Sequence, residues 1–139
     1  MSYDAIYSGR FYFRDEFREL EVAVSDGVIS HIGKAITGAP VTKLEGAVIP
    51  AGTDIHVHFR DPGETDKEDF STGSLSAVYG GTTTVYDMPN NLVPVSDYSV
   101  LQNKLSSVSS RSYCDFGLYS LYNGKNADLL SPSSSGIKI

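Results

Sequence analysis

A change in the pattern of predicted secondary structure near residues 46–52 most constrains the fold of this chain. Before it, the sequence consists of short predicted strands joined by turns, including a two-residue hairpin signal at Asp26-Gly27 between EVAVS and VISHI. After it, predicted strands alternate with predicted helices, which is typical of βα units and a parallel sheet. We therefore predict an α/β chain, with a small all-β domain at residues 1–49 and βα units at residues 50–139.

The predicted βα units follow one another without interruption. The first strand lies in AVIPAGTDIHVHF, and a helix over about residues 67–79 follows it, with Thr65 and Glu68 as a capping-box pair. GTTTVYDM is the second strand, and Ser96 is the predicted N-cap of the next helix. YCDFGLYSLY is the third strand, and SGIKI is the start of a fourth. The predicted inner faces of the two helices consist of Phe70, Ser74, Ala77 and Val78, and of Tyr98, Leu101, Leu105 and Val108.

The number of predicted strands is small for the architecture that they indicate. Four parallel strands with their helices make half of a (β/α)₈ barrel, which needs about 250 residues to close. The chain has 139 residues, and an unclosed half barrel leaves a long exposed strand edge. We therefore expect the N-terminal part of a barrel, truncated after barrel strand 4.

The composition excludes several classes of partner. The chain has 11 basic and 17 acidic residues, a formal charge of −6, and its basic residues do not cluster. This balance is unfavourable for binding nucleic acid or an anionic membrane. The sequence has neither a long apolar run nor a secretory signal, so we predict a cytoplasmic protein. The single cysteine, Cys114, excludes a disulfide within the chain and is predicted to be a buried, inert thiol.

The segment DIHVHFR, residues 54–60, carries the strongest chemical signal. In a strand, alternate side chains share a face, which would turn both histidines, with Asp54 and Arg60, toward the barrel axis. Inward barrel positions are usually apolar, so two inward histidines need a partner. A divalent metal is the natural one, because imidazoles at i and i+2 can both reach one ion at about 2.0–2.1 Å. The alternative is a pair of hydrogen-bonded core histidines.

Several segments resemble one enzyme family. VIPAGTDIHVHFRDPGETDKEDF is similar to the first barrel strand and loop of the dihydroorotases, within the amidohydrolase superfamily. DGVISHIG resembles that family's small N-terminal β-domain, FSTGSLSAVYGGTTTVYDMPNN its first helix and second strand, and SGIKI its fourth strand. The resemblance implies a composite β-domain and a metal-centred barrel. It also implies reversible hydrolysis of dihydroorotate to N-carbamoyl-L-aspartate by a metal-bound hydroxide, in de novo pyrimidine (UMP) biosynthesis.

The resemblance also implies a metal site. It identifies His56 and His58 as ligands of the more buried metal, commonly zinc. It identifies Lys138 as the residue that reacts with CO₂, so that its carbamate bridges two zinc ions. Lys138 alternates with Ile137 and Ile139, which turns it inward, where a cation is costly unless it is neutralised or paired. Taken alone, SGIKI favours a lysine that reaches solvent at a strand end, and the family context reverses that interpretation.

Three residues are predicted to bind substrate: His58, Arg60 and Asn90. The resemblance places Arg60 against the substrate carboxylate, which a guanidinium binds through two charge-assisted hydrogen bonds. The alternative is a surface arginine that pairs with Asp61 or Glu64. The Asn90 amide can both donate and accept hydrogen bonds, and the alternative is an asparagine that stabilises a turn.

No catalytic residue is predicted on this chain. The resemblance places the general acid–base aspartate after the eighth barrel strand and two further histidine ligands on the fifth and sixth strands. The histidines of this chain are His31, His56 and His58, so we expect the isolated chain to lack meaningful turnover. Asp87, in the strand before Asn90, is a candidate for supporting the site by hydrogen bonding.

Two other functions stay open at this point. One is an allantoinase- or hydantoinase-type cyclic amidohydrolase, and the other is a non-catalytic, dihydroorotase-like scaffold protein. The predicted partner is a small-molecule substrate, dihydroorotate or N-carbamoyl-aspartate. A homo-oligomer and a complex with a pyrimidine-pathway enzyme are further options.

Overall fold

The computed structural model describes residues 2–126 and 134–139. The chain divides into two compact units, Met1–Pro50 and Ala51–Ile139. Among the described residues, the first unit contains the strands β1 (Ala5–Phe13), β2 (Glu16–Ser25), β3 (Val28–Gly33) and β4 (Val41–Val48). The second contains β5 (Gly52–Val57), α1 (Phe70–Tyr79), β6 (Thr82–Asp87), α2 (Tyr98–Val108), β7 (Asp115–Leu121) and β8 (Gly136–Lys138). In this described part, neither helix has the length and apolar character that a bilayer crossing requires.

The first unit is a sheet with the strand order β3-β2-β1-β4. Its β2–β3 hairpin turns at Asp26 and Gly27, which have φ angles of 51° and 73°. Positive φ at both central residues is typical of the two-residue hairpin turn whose twist matches that of the flanking strands. The predicted hairpin is therefore confirmed, and the buried residues of this sheet include Ile6 on β1 and Val22 and Ala23 on β2.

The second unit is a parallel sheet with the strand order β5-β6-β7-β8. Helix α1 connects β5 to β6, and α2 connects β6 to β7. Phe70 packs edge-on against Phe59 and Phe116, with ring centroids 5.0 and 5.4 Å away. The remaining buried members of this core are Val85, Val95, Leu101, Val108 and Leu118. The α/β prediction is confirmed, and these parallel strands correspond to half of the eight that close a (β/α)₈ barrel.

Both helices begin later than predicted. Helix α1 has Asp69 as its N-cap, whose Oδ1 accepts a hydrogen bond of 2.8 Å from the Thr72 N–H. That bond lowers the pKa of Asp69 below its usual value. Helix α2 has Asp97 as its N-cap, because its Oδ1 accepts from the Val100 N–H at 3.0 Å. The predicted capping box at residues 65–68 and the predicted cap Ser96 are wrong, since aspartate caps a helix as well as serine does.

The inner faces of the helices differ from the predicted ones in two places each. Val78 and Tyr98 were expected inside, but both are exposed. Gly73 on α1 and Lys104 on α2 are buried instead. The burial of Lys104 is unexpected from periodicity, because lysine is almost never fully buried without a partner.

At Gly73, helix α1 packs closely against Phe59, in the segment after β5. A Cβ atom on Gly73 would lie 2.5 Å from two ring atoms of Phe59. In an open helix, Gly→Ala stabilises by about 1 kcal/mol, but overpacking a core costs about 1–3 kcal/mol. We expect Gly73→Ala to lower the free energy of unfolding of the full-length protein by about 1–2 kcal/mol, measured by urea denaturation.

Ser76, at an exposed position of the same helix, provides the control for that substitution. Ser76→Ala should leave the free energy of unfolding unchanged or raise it by a few tenths of a kcal/mol, following helix propensity. A gain of stability in Gly73→Ala would mean that the Phe59 contact is not tight.

Candidate metal centre

Strand β5 and the loop after it carry the predicted histidines. The register of β5 against β6 shifts between Asp54 and Val57, and Asp54 Oδ1 accepts a hydrogen bond of 3.0 Å from the His56 N–H. The strand ends at Val57, and Arg60 has a φ of 61°, in the left-handed region. The predicted strand alternation therefore does not extend to His58 and Arg60, because both residues lie after the end of β5.

The two histidines nevertheless meet. The Nε2 atoms of His56 and His58 are 3.3 Å apart. Two nitrogens that each lie about 2.05 Å from one ion in a tetrahedral arrangement are about 3.3 Å apart, so the pair fits two ligand positions of a zinc ion. The same separation suits a hydrogen bond between one protonated and one unprotonated ring nitrogen.

The electrostatic surroundings of His58 favour its neutral form. Partial burial is the largest cause that lowers its pKa, and the positive charges of His56, Arg60 and Lys138 lower the pKa further. The negative charge of Asp87 raises the pKa of His58 by a smaller amount. A lowered pKa keeps the imidazole unprotonated at neutral pH, which is the form that binds a metal.

Lys138 lies on β8, in register with Leu121 of β7. Lys138 is half-buried, and its positive charge is one of the causes that lower the pKa of His58. Within residues 2–126 and 134–139, no three histidine, cysteine, aspartate or glutamate side chains gather as a metal site. A further donor from the described part of this chain would therefore be Lys138, whose ammonium repels a metal and whose carbamate attracts one.

The proposed substrate residues lie in the loops after β5 and β6. The Arg60 Nη1 is 3.4 Å from Glu64 Oε2, and Glu64 also binds the Lys67 ammonium. The Lys67 bond is the main reason why the pKa of Glu64 is lowered, followed by a smaller effect of Arg60. The structure thus contains the Arg60–Glu64 pair that was the alternative for this arginine. Asn90 follows β6 and is exposed.

A buried aspartate beside Arg60 anchors the loop after β5. Asp61 Oδ2 accepts from the Phe70 N–H at 3.2 Å and lies 2.7 Å from Arg111 Nη1. These contacts tie the loop to the first residue of α1 and to the segment after α2. The sequence analysis considered Asp61 only as an alternative partner of Arg60, because its actual cationic partner, Arg111, comes from a distant part of the chain.

A second buried group joins the ends of β5 and β6 to α2, and we call it the Lys104 network. Its members are Lys104, Asp87 and Asn91, with exposed fractions of 1%, 0% and 8%. Lys104 Nζ donates to Asp87 Oδ2 at 2.5 Å and to Asn91 Oδ1 at 2.7 Å. Asp87 Oδ1 accepts from the Phe59 N–H at 2.9 Å, and Asn91 Nδ2 donates to the Pro62 carbonyl at 3.2 Å. Asp87 was a sequence candidate, whereas Lys104 and Asn91 were missed.

Comparison with known proteins identifies the family. Residues 47–111 match the amidohydrolase family. The dihydroorotase of Thermoplasma acidophilum is 55% identical over 139 residues, which is all of this chain and 34% of that protein. The dihydroorotase of Thermoplasma volcanium is 53% identical over 136 residues, 98% of this chain and 33% of that protein. The chain belongs to the amidohydrolase family.

The predicted resemblance is thereby confirmed, and the chain corresponds to the N-terminal portion of the dihydroorotases. It spans about a third of the length of these relatives. Among solved structures, L-hydantoinase (dihydropyrimidinase) from Arthrobacter aurescens matches with a TM-score of 0.77 at 23% identity. That match covers 97% of this chain and 32% of the hydantoinase, and it supports the fold alone.

Proposed function

We propose that the full-length protein is a dihydroorotase, which hydrolyses the cyclic amide of dihydroorotate to N-carbamoyl-L-aspartate and closes the ring in the reverse direction. The observation that carries the proposal is the His56–His58 pair, with its Nε2 atoms 3.3 Å apart, in a chain 55% identical to a dihydroorotase. The reaction would serve de novo pyrimidine biosynthesis. The match to the amidohydrolase family and to the dihydroorotases supports a metal-dependent hydrolase, and we propose zinc as the metal.

His56, His58 and a carboxylated Lys138 are the proposed metal-binding residues, with two zinc ions per active site. When bound, the metal supplies Lewis acidity and activates water near neutral pH. Carboxylation turns the Lys138 cation into an anion, which removes its repulsion of the metal. The general acid–base aspartate stays a prediction for a part of the enzyme outside this chain.

Arg60, Asn90 and His58 are the proposed substrate-binding residues. Arg60 would exchange Glu64 for the carboxylate of dihydroorotate, a bidentate partner that binds a guanidinium more strongly than the single contact of 3.4 Å. Glu64 keeps Lys67 as its partner during this exchange, so no carboxylate is left unpaired. The clamp would hold the ring so that the attacked carbonyl lies within reach of the activated water.

A hydantoinase-type cyclic amidohydrolase is the second candidate, because Arg60 contacts Glu64 in this structure and a hydantoinase substrate needs no carboxylate clamp beside its ring. The test uses the full-length protein, expressed with zinc and bicarbonate, and measures metal content and turnover of dihydroorotate, hydantoin and allantoin. We expect about two metals per chain and a clear preference for dihydroorotate. Metal without dihydroorotate turnover would favour another cyclic amide, and the absence of metal would favour the scaffold alternative.

We also propose that residues 1–49 form the small β-domain and residues 50–139 the first half of the barrel. The division of the chain after Pro50 supports this arrangement. The cytoplasmic location, a homo-oligomer and a pyrimidine-pathway partner stay predictions.

A further inference from the structure

The Lys104 network lies between the two loops that carry the proposed metal and substrate residues. We propose that Lys104 is a positioning residue of this site. Through Asp87 its ammonium holds the backbone beside His58, and through Asn91 it holds the loop that follows Arg60. The part of this inference that concerns substrate rests on the proposed function, whereas the part that concerns the metal rests on the histidine pair alone.

The metal arm of the network runs through Asp87. Its Oδ1 accepts from the N–H of Phe59, the residue directly after His58, at 2.9 Å, and its Oδ2 accepts from Lys104 Nζ at 2.5 Å. Both carboxylate oxygens of Asp87 thus accept hydrogen bonds, one from the backbone next to His58 and one from Lys104 on α2. Strand β5 ends at Val57, whose carbonyl accepts a last backbone bond of 2.9 Å from the Met88 N–H. The His58 backbone is therefore held on one side by that bond and on the other by the bond from Phe59 to Asp87. We infer that the orientation of the His58 ring toward His56 depends on both.

The substrate arm runs through Asn91, the neighbour of Asn90. Asn91 Nδ2 donates to the Pro62 carbonyl, two residues after Arg60, at 3.2 Å. The loops also touch one residue further on, where a Cβ added to Gly63 would lie 2.8 Å from the Cβ of Leu92. These contacts leave little freedom between the two loops, so the same ammonium sets the separation of the Arg60 and Asn90 backbones.

Stability alone does not account for a lysine at this place. The other buried residues of α2, Leu101 and Val108, are apolar, which is usual for an inner helix face. Burying a charged pair is costly, and replacing it by apolar residues of similar volume is often neutral or stabilising. An ion pair that also organises the Phe59 N–H, the Asn91 amide and the Pro62 carbonyl has a geometric role that a leucine cannot perform.

The test uses the full-length protein and the affinity for Co²⁺, measured by chelator competition, together with the cobalt absorption spectrum. We expect Lys104→Met to weaken cobalt binding by about 10- to 100-fold, the usual effect of removing a group that orients a ligand, and to change the spectrum. In the double variant Asp87→Asn/Lys104→Gln, the introduced amides can reproduce the hydrogen bonds to the Phe59 N–H and to Asn91. Its cobalt affinity and spectrum should therefore be close to wild type.

Ser74→Ala is the matched control. Ser74 is fully buried in the same unit, donates to the Phe70 carbonyl and accepts from the Tyr113 N–H. Its loss should lower the melting temperature and leave the cobalt spectrum unchanged. If Lys104→Met behaves like Ser74→Ala, less stable but with wild-type cobalt affinity and spectrum, the network is only structural and the proposal is wrong.

A milder variant decides the question if Lys104→Met does not fold. Asn91→Ala breaks the substrate arm and leaves the Asp87–Lys104 pair, so we expect a roughly tenfold rise in KM with little change in cobalt affinity. An unchanged KM for the cyclic amide that the wild type hydrolyses would overturn the proposal. Failure of the wild type to turn over dihydroorotate contradicts the proposed function instead, and the cobalt affinity and spectrum of Lys104→Met still test the metal arm.

Discussion

Replacement of His56 or His58 by alanine in the full-length protein is expected to lower its affinity for zinc or cobalt by more than about 100-fold, since even groups that only orient a ligand contribute 10- to 100-fold. Ring hydrolysis should be lost with the metal. The physical reason is the convergence of the two Nε2 atoms, 3.3 Å apart, on positions that one ion can share. Metal content after dialysis and a cobalt titration measure the effect.

The chain provides its own control for these substitutions. His31, the third histidine, is exposed on β3 in the first unit. His31→Ala should bind metal and turn over substrate as the wild type does. If His56→Ala or His58→Ala retains the wild-type metal content, the two rings are a hydrogen-bonded pair, and the proposed metal centre is wrong.

Arg60→Ala is expected to reduce kcat/KM for dihydroorotate by about 30-fold to several thousand-fold, which corresponds to about 2–5 kcal/mol for a lost, desolvated charge pair. The guanidinium would bind the substrate carboxylate through two hydrogen bonds, and the variant leaves that carboxylate with water alone. Steady-state kinetics with dihydroorotate and with hydantoin, which has no carboxylate beside its ring, separate this effect from a general loss of activity. The loss should be large only for dihydroorotate.

Lys67→Ala is the matched control for Arg60→Ala. Lys67 is an exposed cation of the same loop and, like Arg60, contacts Glu64. Its removal changes the local charge by the same amount, so a small effect on kcat/KM shows that the loss in Arg60→Ala is specific. An Arg60 variant that hydrolyses dihydroorotate almost normally would instead favour the hydantoinase-type alternative.

Local sequence signals predicted the order of the second unit well. The alternation of strands and helices and the apolar residues at helical spacing are signals that act within a few residues, so they can be interpreted without the fold. The errors are equally local. Both helix starts were misplaced because serine, threonine and aspartate are all good N-caps, and only the structure shows that Asp69 and Asp97 accept the bonds.

The candidate site divides in the same way. The spacing of His56 and His58 predicted that their side chains would lie together, although β5 has an irregular register and ends before His58. The irregularity is invisible in the sequence, because a change in strand register depends on the partner strand. The distance of 3.3 Å between the two Nε2 atoms is therefore known from the structure and not from the motif alone.

The sequence by itself thus determined the α/β order of elements, the histidine pair and the family resemblance, because these depend on residue type and short spacings. Only the tertiary structure decided that Lys104 is buried, that it binds Asp87 and Asn91, and that Asp61 pairs with Arg111. A lysine on a helix is normally a solvated residue, and its burial becomes favourable only when an anion from another strand lies beside it. Such partners are distant in sequence, so they meet only when the sheet and its helices have assembled.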